Sequence, residues 1–231
     1  MKKIMIFLMI LSFVFIGTLS AQGNLGFGVK GGLNMAKLSF EDTDVDVDKG
    51  FKLGPTFGGF VTYNLNDKLA IQPEFLYTVK GGSYEYSESA IGGGYDVLWA
   101  GNTEFKMNWL DIPILVVFNP NDKIKIFAGP YLELFLNGTN DYEFTVSGTY
   151  ESETFSESES DSKDIESDDI TSPGFGLIVG GAFMLGNNLG VEARYAIGLT
   201  SINKDEGEDE DMAGSVKNSG IQVFVNYYLK K

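Results

Sequence analysis

The 231-residue chain contains no cysteine and no histidine. Without cysteine there is no disulfide, thiolate nucleophile or zinc–thiolate site. Without histidine the side chain most used as general base, triad member or metal ligand is missing as well. Catalysis would have to rest on Asp, Glu, Ser, Lys or Tyr, and no paired-acid arrangement suggests glycoside hydrolysis. The chain therefore reads as non-enzymatic. Beyond residue 21 there is no stretch of about 18 apolar residues, so no segment can cross a membrane as a helix. Positive charge is also scarce: 17 Lys and Arg stand against 32 Asp and Glu, a net charge of −15. That sign disfavours nucleic acid and anionic surfaces as partners.

What is present begins at the N-terminus. Lys2 and Lys3 precede an apolar run from Ile4 to Ile16, followed by the small and polar residues GTLSAQ. This is the order of a secretory signal peptide, expected over residues 1–21 with cleavage after Ala21. The apolar run is shorter than the roughly 20 residues a spanning helix needs. An exported chain without a spanning helix is either soluble beyond the inner membrane or a β-barrel in an outer membrane.

Residues 22–231 are punctuated by three short polar turns, NLND at 64–67, NPND at 119–122 and GNN at 186–188, each flanked by strand-like apolar sequence. Asn, Asp, Pro and Gly are the residues of tight turns. Four longer polar segments lie near 41–50, 87–103, 141–170 and 204–216. Seven connections join eight strands, and they alternate long and short. In an up-and-down antiparallel barrel that alternation gathers the short turns on one rim and the long loops on the other, the asymmetry of an outer-membrane barrel. Segments 41–50, 141–170 and 204–216 hold five, eleven and six acidic residues, 22 of the 32 in the chain. Charge repulsion and low hydrophobicity predict that ESETFSESESDSKDIESDD is a mobile loop.

Period-two patterning supports strands. In NLGVEARYAIGLTSI the apolar set Leu189, Val191, Ala193, Tyr195, Ile197 and Leu199 alternates with Gly190, Glu192, Arg194, Ala196, Gly198 and Thr200. Carried through the other strands, the same parity places Lys30, Glu74, Asp111, Glu133, Glu192 and Arg194 on the face opposite the apolar stripe. An eight-stranded barrel has an interior just wide enough to be filled by side chains, so these charges are candidates for a salt-bridged plug. Asp111 and Glu133 are expected to answer to Arg194 or Lys30. Tyr63, Phe118, Tyr195, Tyr227 and Tyr228 near strand ends suggest an aromatic girdle.

Other motifs fail on inspection. DTDVDVDKG has acids at the first, third and fifth positions of a calcium loop, but Lys49 stands where Gly is needed and Pro55 where Glu is needed. Loose divalent-cation binding by the acidic loops stays open. GFGVKGG and GFGLIVGGAF lack the Walker spacing and a following helix, and glycine in such strands is better explained by sharp barrel curvature.

GFGVKGGLNMAKL, IQPEFLYTVKGG, LDIPILVVF, IFAGPYLEL, FGLIVGGAF and VEARYAIGLTSI occur in this order across nearly the whole chain after residue 21. Together they resemble the PorT-like outer-membrane β-barrel family of Gram-negative bacteria. The resemblance implies an all-β fold, a closed up-and-down antiparallel transmembrane β-barrel of about eight strands, with no cofactor. The partners implied are outer-membrane lipid, the barrel-assembly machinery during biogenesis and proteins of the cell envelope, with no nucleic acid. Many such barrels end in an aromatic residue, whereas this chain ends YYLKK, leaving Tyr228 or Leu229 for that role. Two alternatives to a plugged barrel displaying acidic extracellular loops are a narrow ion-conducting pore and a soluble lipocalin-like periplasmic barrel with its apolar side inward.

Overall fold

A computed structural model describes residues 24–40, 48–92, 95–150, 153–203 and 215–230. The expected signal peptide and most of the 41–50 and 204–216 segments lie outside the described residues. Nine strands follow in order: β1 (Leu25–Phe40), β2 (Asp48–Asn64), β3 (Leu69–Gly92), β4 (Tyr95–Phe118), β5 (Ile124–Tyr150), β6 (Glu153–Asp164), β7 (Gly174–Met184), β8 (Leu189–Gly198) and β9 (Val216–Lys230). Among the described residues no helix is long and apolar enough to cross a membrane.

Every pairing between these strands is antiparallel. Eight strands close a ring in the order β1-β2-β3-β4-β5-β7-β8-β9, with β9 returning to β1. β6 is the ninth strand and stands outside the ring. β5 is long enough to serve two neighbours: Ile124 to Glu133 pair with β7, and Thr139 to Tyr150 pair with β6. Eight was therefore the correct count for the ring, to which the described residues add one further strand.

The short turns are built by local chemistry. In NLNDK the Asn66 Oδ1 accepts from the backbone N–H of Lys68 (2.9 Å) and Leu69 (3.0 Å). In NPNDK the Asn121 Oδ1 accepts from Lys123 and Ile124, both at 2.9 Å. These are Asx turns, in which the side chain stands in for a backbone carbonyl. Neighbouring turns are then joined around the rim by backbone bonds from Asn64 N to Asn24 O, Asn119 N to Lys68 O, Met184 N to Lys123 O and Tyr228 N to Asn188 O.

Side-chain parity sorts the wall into two faces. Val29, Leu33, Phe57, Phe75, Ile114, Val116, Ile126, Leu177, Val179, Ile197, Val223 and Val225 are all exposed on the outside, forming an apolar belt. Along β4 the belt runs from Phe118 up to Leu110 and stops at Asn108, which accepts a 2.6 Å hydrogen bond from the Tyr77 hydroxyl and donates one of 2.6 Å to Asn137. Tyr63, Phe118, Tyr195 and Tyr227 lie on this outer surface, but Tyr228 does not. It points inward and is buried against Phe60 and Met184, because adjacent residues of a strand face opposite ways.

β7 and β8, at 11 and 10 residues, have the length of a tilted strand that just crosses a bilayer. β3, β4 and β5, at 24, 24 and 27 residues, overrun it by roughly 45–55 Å along the strand at about 3.3 Å per residue. Segments 87–103 and 141–170, expected as loops, are therefore mostly strand. Together with β6 they form a four-stranded sheet above the ring, whose tips Gly92, Tyr95, Tyr150 and Glu153 are in register. β6 is ordered despite its charge because β5 supplies a template, and alternation with Ser separates successive acids.

Candidate functional site

The inward parity that predicted a charged lumen brings Lys30, Glu74, Asp111, Glu133, Glu192 and Arg194 to the inside of the ring, each at most 3% exposed. They divide into two clusters. In the first, Lys30 Nζ on β1 lies 2.8 Å from Glu74 Oε1 on β3 and 2.8 Å from Glu192 Oε2 on β8. Arg194 Nη1, also on β8, lies 2.7 Å from Glu74 Oε2 and 3.7 Å from Glu192 Oε1. Two cations face two carboxylates, so the cluster is neutral as a unit.

Neutral polar groups occupy most of the remaining valences, with Arg194 Nη2 left without a hydrogen bond among the described residues. Gln72 donates to Glu74 at 2.8 Å and Asn226 to Glu192 at 2.8 Å, while Arg194 Nε donates to Gln222 at 2.6 Å. Thr62 in turn donates to Gln72 at 3.0 Å. The Phe224 ring lies against both cations, 5.0 Å from Lys30 Nζ and 4.6 Å from the Arg194 guanidinium carbon, in the range of a cation–π contact. Gly180 opposite leaves room for the arginine: a Cβ there would fall 2.5 Å from Arg194 Cβ and 2.8 Å from the Phe127 ring.

In the second cluster Asp111 and Glu133 are direct partners across β4 and β5, a placement that repels like charges. Their counter-ion is neither Arg194 nor Lys30, as expected, but Lys80. Its Nζ lies 2.8 Å from Asp111 Oδ1 and 2.7 Å from Glu133 Oε2, above the Tyr131 ring at 5.0 Å and the Trp109 ring at 5.7 Å. Lys80 shares the inward parity of Glu74, so alternation marked its face. Its pairing was missed because the ladder sets it opposite Met107, while Asp111 is opposite Leu76; only the length of the lysine arm closes that offset. The adjacent Gly81 has φ +146°, and a Cβ there would lie 1.9 Å from the Phe105 carbonyl oxygen. Glycine is required beside Lys80 for β3 and β4 to approach.

Much of the remaining lumen is apolar. Ala70, Leu115, Val117, Phe127, Tyr131, Ile178, Ala182 and Ala196 form one buried group. Leu38, Met107, Trp109, Ile170 and Ile202 form another, with Tyr84, Phe105, Phe135 and Ile165 packed against it. The chain between β6 and β7 contributes Ile165 and Ile170 to this second group, closing the ring at the end of the long strands. Inward Leu115 and Val117 explain why LDIPILVVF reads as apolar on both faces.

The acidic sequence on the projecting sheet is arranged rather than diffuse. On β6, Glu157, Glu159 and Asp161 share one face and Ser156, Ser158, Ser160 and Ser162 the other, and all twelve residues of the strand are exposed. Asp161 accepts a 2.9 Å hydrogen bond from the Tyr142 hydroxyl, which holds its carboxyl below the usual carboxylate range. The same bond pushes the Tyr142 phenol up. Among the described residues no group of three or more acidic side chains is gathered closely enough to hold a metal ion.

Residues 20–204 match the model of a protein family described as outer membrane protein beta-barrel domain. Among solved structures, the chain is similar to Ail, the attachment invasion locus protein of Yersinia pestis, in complex with the heparin analogue sucrose octasulfate. The identity is 12% over 89% of this chain and 99% of that one, with a TM-score of 0.39. It is similar to Neisserial surface protein A at 16% identity, over 87% of this chain and 96% of that one, with a TM-score of 0.40. OprG from Pseudomonas aeruginosa is 11% identical over 89% and 96% of the two chains, with a TM-score of 0.34. No curated protein matches.

Proposed function

Because the chain belongs to the outer membrane protein beta-barrel domain family, we propose that this outer-membrane β-barrel is a non-enzymatic display protein, a plugged ring that holds an acidic sheet outside the cell. The observation that carries this reading is the overrun of β3 to β6 beyond the apolar belt, ending in a fully exposed acidic strand. In a bilayer the belt meets lipid, and ring closure satisfies the backbone hydrogen bonds without leaving an edge in the hydrocarbon. The short Asx turns then face the periplasm and the projecting sheet faces the exterior. Outer-membrane lipid and the assembly machinery are the general partners of this reading. Specificity belongs to the sheet.

The ion pairs across the ring and the apolar groups between them support a plug. A narrow conducting pore is favoured only by the row of charges, and each of these is already ion-paired within the lumen, Asp111 and Glu133 sharing Lys80. The soluble lipocalin-like alternative needs a polar outside; the chain is apolar on the outside of its belt, and its family is one of outer-membrane barrels.

Protease added to intact cells should cut β6 within residues 153–164 while the turns at 64–68 and 119–123 survive. Cleavage of β6 only after the outer membrane is breached would reverse the orientation. In planar bilayers the inserted protein should be electrically silent, and stepwise conductance at good incorporation would replace the plug with a pore.

A further inference from the structure

Among the described residues the outer side of β6 is an unpaired ladder edge. β6 bonds to β5 alone among the described residues, and its register with β5 runs without a bulge from Glu153 opposite Tyr150 to Asp164 opposite Thr139. A regular strand with one free edge presents a row of N–H and C=O groups that another extended segment can take up. Natural edges of this kind are blunted by charged side chains or by one of three backbone devices, proline, a bulge or brevity. β6 has none of the three across its twelve residues. What it has is charge of one sign, with five carboxylates against one lysine, Lys163.

We propose that the free edge of β6 is a docking site for an extended basic segment of a partner protein, with Lys or Arg at every second residue, added as a further strand of the projecting sheet. Geometry sets that period. Side chains of an added strand alternate between faces as those of β6 do, so its basic residues come alongside Glu157, Glu159 and Asp161, and its other residues alongside Ser156, Ser158, Ser160 and Ser162. Glu157 and Glu159 make no hydrogen bond or ion pair with a described residue, which leaves them available. Behind them the same face continues across the sheet as Phe144, Tyr86 and Trp99: Glu159, Phe144, Gly101 and Tyr86 are in register across four strands, as are Glu157, Val146 and Trp99. Tyr86 and Phe144 are exposed, so the aliphatic stems of long basic side chains have apolar surface to lie on.

A second copy of the chain is a poor occupant, because it would set five more carboxylates beside the first five. The acidic edge thus rejects its own kind while admitting a basic strand, which is how one set of charges gives both specificity and solubility.

This inference rests on the display reading, and its test does not depend on orientation, since both faces of a nanodisc are open. Full-length protein in nanodiscs is titrated with a twelve-residue peptide alternating Lys and Thr, matched to the length of β6. Three comparisons accompany it: a peptide of the same composition with its lysines in one block, and the alternating peptide N-methylated on every second amide in each of the two registers. The alternating peptide should bind, and the block peptide should bind about tenfold more weakly. One N-methylated register should lose binding, because it retains all charge but cannot bond to the edge. Replacing Glu157, Glu159 and Asp161 together by Ser should weaken the alternating peptide about tenfold, with the barrel still shown folded by its resistance to SDS before boiling. Equal binding of alternating and block peptides, or indifference to both methylation registers, would mean diffuse charge attraction and would overturn the proposal; so would no binding at all.

Discussion

Lys80 and Glu133 meet 2.7 Å apart inside the barrel although 53 residues separate them in sequence. The lysine holds together two carboxylates, Asp111 and Glu133, that the β4–β5 ladder places directly opposite each other. Without it the two would be uncompensated buried carboxylates, a costly arrangement.

Replacing Lys80 with Met should therefore cost about 3–5 kcal/mol of unfolding free energy in detergent, the loss typical when one partner of a buried pair is removed. Adding Asp111→Asn and Glu133→Gln to that variant should recover a large part of it, since the uncompensated charges are then gone. Urea unfolding followed by tryptophan fluorescence reads both, because Trp109 lies 5.7 Å from the lysine. A triple variant no more stable than the single one would mean that packing, rather than charge, supports this site.

Arg194→Leu should destabilise by a similar amount, about 3–5 kcal/mol, because Lys30 alone then faces Glu74 and Glu192. The lipid-facing swap Ile197→Leu should cost less than about 1.5 kcal/mol. The two are compared by the temperature at which the compact SDS-resistant band is lost. Equal shifts would show that the first cluster contributes little beyond its volume.

The Tyr142–Asp161 contact predicts a pH window for the β5–β6 pairing. Asp161 is held below the ordinary carboxylate range, chiefly by the Tyr142 hydroxyl and then by the Ser162 N–H. Its contribution is present above the unfolded carboxylate pKa and is lost as pH falls through the lower folded value. Tyr142 is pushed above the ordinary phenol range by the same bond. Its contribution is present below the unfolded phenol pKa and is lost as pH rises through the folded value. Amide exchange along β6 should be slowest between the two limits relative to the intrinsic rate, and Tyr142→Phe should remove the alkaline edge of the window and weaken the acid edge, which the Ser162 N–H still supports. Unchanged edges in that variant would show that the contact does not govern the hairpin.

The twin turns give a prediction about side-chain acceptors. Asn66→Ala and Asn121→Ala each remove an oxygen that accepts two backbone N–H bonds, and each should cost about 1–2 kcal/mol. Asn→Asp at either position retains an acceptor and should be nearly neutral. Refolding yield into micelles and urea midpoints distinguish them, and an Asp variant as damaged as the Ala variant would point to the amide NH₂ instead.

Several features of this barrel were legible from neighbours in sequence. The apolar stripe of β8, the placement of Glu192 and Arg194 on its opposite face, and the three short turns each depend on residues one to four positions apart, and strand geometry translates those spacings directly into faces and corners. Tyr228 shows the limit of reading by composition. Its place beside Tyr227 suggested a girdle, yet parity sends it inward onto Phe60 and Met184.

The sequence by itself determined an all-β chain whose strands have one apolar and one polar face, with short turns on one rim and acid-rich connections on the other, because period-two alternation and turn chemistry are local; which face turns outward was decided by ring closure. Tertiary structure alone decided that Lys80 answers Asp111 and Glu133, that Lys30 and Arg194 share Glu74 and Glu192, and that an acidic segment expected to be mobile is a ninth strand. Those outcomes depend on the stagger between neighbouring strands and on the overrun of β5 past β7. Both are set by non-local hydrogen-bond register around a closed ring, a quantity that no single stretch of chain carries.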